Sequence, residues 1–174
     1  MFRLPLLLLF AGIALVQTSC EEPLVNTRIN YYMTITDSDT YNHLEFDFLN
    51  TRAYQSIDGE AAIRSVYLDP QALNLRTNGS QVPVFLGYSD IEKSLITGYD
   101  FALSNASIEV NGERVDLDGP ELTGKTKAET FIKVYEGDFL SVLFVIDVDN
   151  SITQVINNAD TSYVFAPKIL VEAE

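Results

Sequence analysis

The chain has 174 residues, of which 47% are hydrophobic and 21% charged, and its formal net charge is −14. This composition excludes an intrinsically disordered chain, and the length suits about one domain. A single cysteine excludes an internal disulfide and a multi-cysteine zinc site. The excess of 25 acidic over 11 basic residues argues against a nucleic-acid-binding protein, which needs a basic surface.

The N-terminal segment has the pattern of a bacterial secretion signal. An apolar run covers residues 4–16, which is too short for a transmembrane helix of about 20 residues but fits the core of a signal peptide. The small residues Thr18 and Ser19 then precede Cys20, the only cysteine. This pattern resembles the lipobox of bacterial lipoproteins, with Gln17 where that motif usually has leucine. We predict cleavage before Cys20, whose thiol is alkylated with diacylglycerol and whose amine takes a further acyl chain.

Two alternatives remain for this segment: an ordinary secretory signal with an incidental cysteine, and a single transmembrane helix. The lipoprotein interpretation divides the chain into a signal peptide (1–19), a lipidated cysteine with a short acidic tether (20–28) and one domain (29–174). Two or three acyl chains hold a protein firmly to a membrane, since each buried methylene contributes ~0.8 kcal/mol. Glu21 and Glu22 resemble the surface-export signal of some Gram-negative lipoproteins. We therefore expect a lipid-anchored outer-membrane protein that faces the cell surface rather than the periplasm.

Short apolar runs that alternate with polar residues dominate the rest of the chain and indicate β-strands. The alternation is clear at residues 29–35 and 44–48. Residues 82–88 predict another strand, and Pro83 places it at a strand start or a sheet edge. Asn111 and Gly112 predict a tight hairpin, because both accept positive φ and alternating strands flank them. We expect about eight to ten short strands in an antiparallel β-sandwich.

The second half of the domain holds further strands. Residues 131–135 and 139–148 predict a second hairpin, and the apolar run 142–146 within it predicts a strand that is buried on both faces. A last strand covers residues 163–171, with a break at Pro167. The two segments with the potential for a helical turn are residues 90–95 and 151–158.

Four segments, in order, resemble an uncharacterised family of secreted bacterial lipoproteins that contain a domain of unknown function. They are residues 35–37, 95–99, 143–152 and 163–169. In that family an L-P-x-G-x-Y turn precedes a strand, and a D-F-D-x-x-x-S-I stretch precedes a closing Y-x-x-x-P-x-I strand. This chain differs at Ile96 and Thr97, where the family usually has Pro and Ala, and at Ser38 and Asp39. The resemblance implies secretion and an all-β fold of prealbumin- or immunoglobulin-like architecture, and it carries over no catalytic residue.

Catalytic chemistry finds little support in the sequence. A Ser–His–acid triad would need His43, the only histidine, and no Gly-x-Ser-x-Gly motif presents a serine. Glycoside hydrolysis needs two suitably spaced carboxylates, but with 25 acidic residues the presence of a pair is uninformative. We predict a protein that is not an enzyme and does not bind nucleic acid.

Calcium is the best cofactor candidate, because it takes about six to eight oxygen ligands, often from loops. Asp147 and Asp149 follow the apolar run and would share a face if the strand continued through them. Their spacing matches no EF-hand loop, and carboxylates at strand ends commonly accept hydrogen bonds in turns instead. No cofactor is therefore predicted outright, and any structural Ca²⁺ is expected first at these two side chains.

Tyrosines near strand ends are the candidate ligand-contacting residues, since a phenol joins an apolar ring to a polar tip. They are Tyr41, Tyr54, Tyr67, Tyr88 and Tyr99. We expect a membrane-anchored binding module for a glycan, a peptide or another surface protein. The alternative is a structural accessory of a cell-envelope assembly that pairs with its partner through a sheet edge. An exposed groove lined by tyrosine would favour the first, and a long uncovered edge strand the second.

Overall fold

The computed structural model describes residues 26–77, 82–119, 126–157 and 160–174. The predicted signal peptide, Cys20 and most of the predicted tether lie outside the described residues. In the described ranges, no helix is long and apolar enough to cross a membrane. The first strand begins at Thr27, two residues before the predicted start of the domain at residue 29.

Strands make up most of the described chain, with one short helical turn. The strands are β1 (Thr27–Ile35), β2 (His43–Ile57), β3 (Glu60–Val66), β4 (Gln71–Arg76), β5 (Val84–Ile91), β6 (Ser94–Val110), β7 (Glu113–Asp116), β8 (Thr126–Val134), β9 (Phe139–Ile146), β10 (Ile152–Asn157), β11 (Asp160–Phe165) and β12 (Ile169–Ala173), and the helical turn is α1 (Val148–Ser151).

Two sheets pack against each other, and the prediction of an all-β sandwich is confirmed. Sheet A has the order β12–β9–β1–β5. Sheet B is built on the long strands β2 and β6: β3 and β4 share the outer edge of β2, and β7 and β8 share the outer edge of β6. The pairs are antiparallel except for β1 with β9, which the sequence did not predict. A separate hairpin joins β10 to β11.

The core lies between the sheets and is rich in aromatic rings. Tyr31 and Phe144 of sheet A stack with ring centroids 5.8 Å apart. Phe101 of sheet B meets Phe144 edge to face at 4.8 Å, and Tyr99 meets it at 5.1 Å. All four side chains are fully buried, and edge-to-face rings add about 0.5–1.5 kcal/mol each to the free energy of burial. Burial of these rings specifies the register of the strands that carry them, because a slip of one strand by one residue would turn its ring toward solvent.

Several local predictions are confirmed. Asn111 and Gly112 have φ of 53° and 83°, and they connect β6 to β7 as the predicted hairpin. Pro83 directly precedes β5, which is an edge strand of sheet A. Pro167 lies in the break between β11 and β12. Each of these signals acts through the backbone of one or two residues, so it does not depend on the rest of the fold.

Other local predictions are wrong. Residues 131–148 do not form a hairpin, because β8 pairs with β6 in sheet B whereas β9 pairs with β1 and β12 in sheet A. The turn at residues 135–138 instead carries the chain from one sheet to the other. Residues 142–146 are buried on one face and half-buried on the other. Residues 90–95 hold the end of β5 and the start of β6 rather than a helical turn.

Candidate functional site

The two calcium candidates lie where the chain leaves sheet A. β9 ends at Ile146, so Asp147 and Asp149 do not share a strand face, and that expectation is wrong. Asp147 is the N-cap of α1 and accepts hydrogen bonds from the Asn150 backbone N at 3.3 Å and from Asn150 Nδ2 at 2.8 Å. Asp149 Oδ1 accepts one from Ser38 Oγ at 2.6 Å. Within the described ranges, no group of three or more His, Cys, Asp or Glu side chains is placed to hold a metal ion.

His43 begins β2 on the outer side of sheet B. Its Nδ1 lies 3.8 Å from Glu109 Oε2 on β6, and both border a depression of about 50 Å³ that also contains Ser107. The Ser107 hydroxyl has no hydrogen-bond partner among the described residues, so it does not donate to the imidazole. His43, Glu109 and Ser107 therefore lie near one another, but they lack the serine–histidine hydrogen bond that activates a serine nucleophile.

A larger concave feature lies at one open side of the sandwich, between the edges of the two sheets. It has a volume of about 470 Å³ and is lined by Asn26, Gln55, residues 64–67 and residues 88–92; we call it the β3–β5 cleft. Residues 64–67 belong to the end of β3 and the loop that follows, and residues 88–92 to the end of β5. The volume falls in the range of small-ligand sites.

The cleft exists because β3 and β5 each pair on one side only. Among the described strands, β3 pairs with β2 and β5 with β1. No ladder joins β3 to β5 across the gap in this part of the chain. The gap is spanned by two side chains, since Arg64 Nη2 lies 2.9 Å from Glu92 Oε1. Strand edges of this kind present unpaired main-chain donors and acceptors.

Buried polar groups line the floor of the cleft. Gln55 projects from the inner face of β2 and is 3% exposed. Its Nε2 has no hydrogen-bond partner among the described residues, although buried polar atoms are nearly always satisfied. Ser89 on β5 also lines the cleft, and its Oγ is 3.1 Å from the Tyr31 hydroxyl. The amide of Gln55 is therefore a donor available to a bound molecule.

Two tyrosines line the wall of the cleft, Tyr67 from the loop after β3 and Tyr88 from β5. Tyr67 is 88% exposed and Tyr88 is 52% exposed. The guanidinium of Arg28 lies 4.4 Å from the centroid of the Tyr88 ring and also pairs with Asp90 at 3.0 Å. The charged groups at this site are thus paired with each other, Arg28 with Asp90 and Arg64 with Glu92, within an otherwise acidic protein.

Tyr67 and Tyr88 were among the tyrosines that the sequence singled out, whereas the others have different environments. Tyr41 and Tyr99 are buried in the core, at 7% and 0% exposure. Tyr54 donates a hydrogen bond to Asp100 Oδ2 at 2.6 Å. No sequence pattern points to Gln55, because an isolated glutamine in a strand has no spacing or motif that separates it from a surface residue.

The chain matches no protein-family model and no curated protein. Among solved structures, a proposed cell adhesion protein from Bacteroides ovatus resembles it at 12% sequence identity and a TM-score of 0.24. The likeness covers 83% of this chain and 44% of that protein, so this chain spans less than half of its length. A likeness at this level carries over neither a fold nor a function, and the resemblance to a family of secreted lipoproteins stays a prediction.

Proposed function

We propose that this protein is a non-catalytic, lipid-anchored lipoprotein of the outer membrane that acts at the cell surface as a recognition module, and that its ligand occupies the β3–β5 cleft. The observation that carries the proposal is the cleft itself. It combines two exposed tyrosine rings, Tyr67 and Tyr88, with a buried and unpartnered donor, Gln55 Nε2. Aromatic walls with a few oriented polar groups are the usual composition of a recognition site.

Lipid anchoring rests on the lipobox-like sequence that ends at Cys20. The first strand starts at Thr27, seven residues later, so the anchor reaches at most about 25 Å from the body of the protein. Asn26 lines the cleft. The cleft would therefore open beside the membrane, where a ligand of the envelope is held at high local concentration.

The anchor has a direct test. Cys20→Ala should abolish labelling of the protein with a radioactive fatty acid and leave the signal peptide uncleaved. Ser19→Ala is the matched control, because it keeps a small residue before the cysteine. If the Cys20→Ala protein matures and remains membrane-bound like the parent, the lipoprotein interpretation is wrong.

The recognition function is tested by crosslinking in cells. The full-length acylated protein is crosslinked, purified by affinity, and analysed for attached protein and carbohydrate. The double variant Tyr67→Ala/Tyr88→Ala should capture its partner at least about tenfold less, because aromatic residues in a binding site commonly contribute above 1 kcal/mol each. Phe131→Ala is the control, since that ring is 79% exposed on β8, a strand that does not line the cleft. Equal capture by all three proteins would contradict the proposal.

A structural accessory of a cell-envelope assembly is the second candidate, and one observation favours it. The free edge of β5 extends along the cleft, and an edge strand can accept a partner strand through main-chain hydrogen bonds. In that case the crosslinked partner would be one protein in stoichiometric amount, and its capture would not depend on Tyr67 and Tyr88, because main-chain groups make the contact.

A further inference from the structure

The lining of the β3–β5 cleft indicates which class of ligand it takes. We infer that the ligand is an extended, uncharged peptide segment that adds as a strand to the free edge of β5. This inference rests on the proposed function of the cleft as the recognition site. It selects the peptide from the three ligand classes that the sequence left open, a glycan, a peptide or another surface protein.

Most of the residues that line the cleft are consecutive in the sequence, as expected for a strand edge. The cleft contacts unbroken runs, residues 64–67 on one side and residues 88–92 on the other. Successive side chains of a strand point to opposite faces. A cavity that touches every residue of a run therefore touches the edge of the strand, where the main-chain N–H and C=O groups lie.

The main-chain groups along the outer edge of β5 have no partner strand among the described residues. β5 uses one edge for β1, with Ile91 opposite Thr27 and Tyr88 opposite Asn30. Its other edge borders the cleft and joins no ladder among the described strands. The four residues 88–91 of β5 span about 13 Å as a strand, which is room for a peptide of about four residues.

Gln55 supplies a hydrogen-bond donor that suits a strand bound along β5. Its amide lines the cleft floor with no partner among the described residues. A strand laid along β5 has alternate carbonyl oxygens that point away from β5, and such an oxygen is a suitable acceptor for Gln55 Nε2. A sugar ring could also accept this bond, but it would leave most of the main-chain groups along the edge unmatched.

The charges at the cleft define which side chains the peptide carries. Arg64 pairs with Glu92, and Asp90 pairs with Arg28, which lies outside the lining. No unpaired charged side chain of the lining is therefore left to attract an ionic ligand. The exposed rings of Tyr67 and Tyr88 offer apolar contact instead. The peptide is therefore expected to place apolar or aromatic side chains against these two rings.

The experiment uses the full chain in detergent micelles and a phage library of random dodecapeptides. Selected sequences are made as synthetic peptides, and their affinity is measured for the wild-type protein and for three variants. Tyr67→Ala should weaken binding at least about tenfold, and Phe131→Ala should leave it unchanged. Gln55→Met, which keeps the side-chain size and removes the amide donor, should weaken binding about fivefold to tenfold.

Main-chain pairing has its own readout. Each selected peptide is also made in two N-methylated forms, one for each set of alternate residues. At least one form should lose more than about tenfold in affinity, because methylation removes the amide donors that face β5. Bound peptide should also slow hydrogen exchange at the amides of residues 88–91, while the amides of β12, the opposite edge strand of sheet A, should exchange as before.

The failure of this inference and that of the proposed function are distinguishable. If no peptide that depends on Tyr67 is enriched, or if both methylated forms bind like the parent, the strand-addition inference is wrong. The proposed function would still hold if the Tyr67→Ala/Tyr88→Ala protein loses its partner in cells. If that double variant captures its partner as well as the wild type, the cleft is not the recognition site and both proposals fail.

Discussion

Arg52 on β2 and Asp100 on β6 form an ion pair across sheet B, with Arg52 Nη2 2.7 Å from Asp100 Oδ2. The side chain of Asp100 is 3% exposed although it lies on the side of the sheet away from the core, while Arg52 is 45% exposed. The Tyr54 hydroxyl donates to the same oxygen at 2.6 Å. Two donors from the neighbouring strand thus cover a carboxylate that would otherwise contact water.

Removal of Arg52 should destabilise the folded protein. Arg52→Met leaves a buried carboxylate with one donor fewer, and we expect the free energy of unfolding to fall by about 2–4 kcal/mol, as measured by urea denaturation. Arg64→Met is the matched control, because the Arg64–Glu92 pair is 59% and 41% exposed and exposed pairs contribute about 0–1 kcal/mol. Equal losses in the two variants would show that Asp100 does not depend on Arg52.

Alkaline pH should destabilise the protein through its buried tyrosines. Burial raises the pKa of Tyr99 well above its usual value of 10.0, and burial also raises the pKa of Tyr31, an effect that the hydrogen bond with Ser89 reduces. Above pH 10 the unfolded chain loses these protons while the folded protein keeps them. The free energy of unfolding should therefore fall as the pH rises, by about 1.4 kcal/mol per pH unit for each group.

The variant Tyr99→Phe tests this origin of the pH dependence. In this variant the free energy of unfolding should fall less steeply between pH 10 and pH 11.5 than in the wild type. The measurement is denaturant titration at a series of pH values. A decline as steep as that of the wild type would assign it to other groups, such as the lysines.

Gly98 should tolerate no side chain. A Cβ at this position would lie 2.8 Å from the main-chain oxygen of Ala128 on β8, so Gly98→Ala must push β6 and β8 apart. We expect a loss of about 1–3 kcal/mol in the free energy of unfolding. The second change Ala128→Gly should give no rescue, because the obstructing atom belongs to the backbone. Recovery of stability in the double variant would contradict this explanation.

Asp147 should stabilise the protein as a helix cap. Asp147→Ala removes the acceptor for Asn150, and the cost should be about 1 kcal/mol. Melting temperatures in Ca²⁺ and in EDTA should show the same loss. Asp138→Ala, at an exposed turn position, is the control for the change of charge. A loss that occurs only with calcium would instead support a calcium site at Asp147 and Asp149.

The parts of the fold that the sequence predicted are those that depend on a few adjacent residues. The turn at Asn111 and Gly112 needs two positive φ angles, and those two residue types provide them wherever the hairpin lies. The alternation of Ile29, Tyr31 and Met33 likewise shows which face of β1 is buried. The partner of a strand is not encoded in this local way. Residues 131–148 carry the turn and alternation of a hairpin, yet the two strands pair in different sheets.

The candidate site could be predicted only in part, for a similar reason. Tyr67 and Tyr88 were identifiable as tyrosines near strand ends, but no local pattern places them at one cleft. The cleft depends on two strands that leave an edge unpaired, β3 and β5, and the alternation of a strand does not show which of its edges has a neighbour. Gln55 becomes significant only once the other groups on the floor of the cleft are known.

The parallel pairing of β1 with β9 has a consequence for the order of events in folding. β1 is an interior strand of sheet A, and Arg28 lies opposite Phe139, more than a hundred residues further along the chain. Contacts between such distant segments form slowly, because a long loop must close before they contribute. During synthesis β1 therefore has no partner in sheet A on this side until β9 has emerged, more than a hundred residues later. Sheet A thus cannot close until most of the domain has been made.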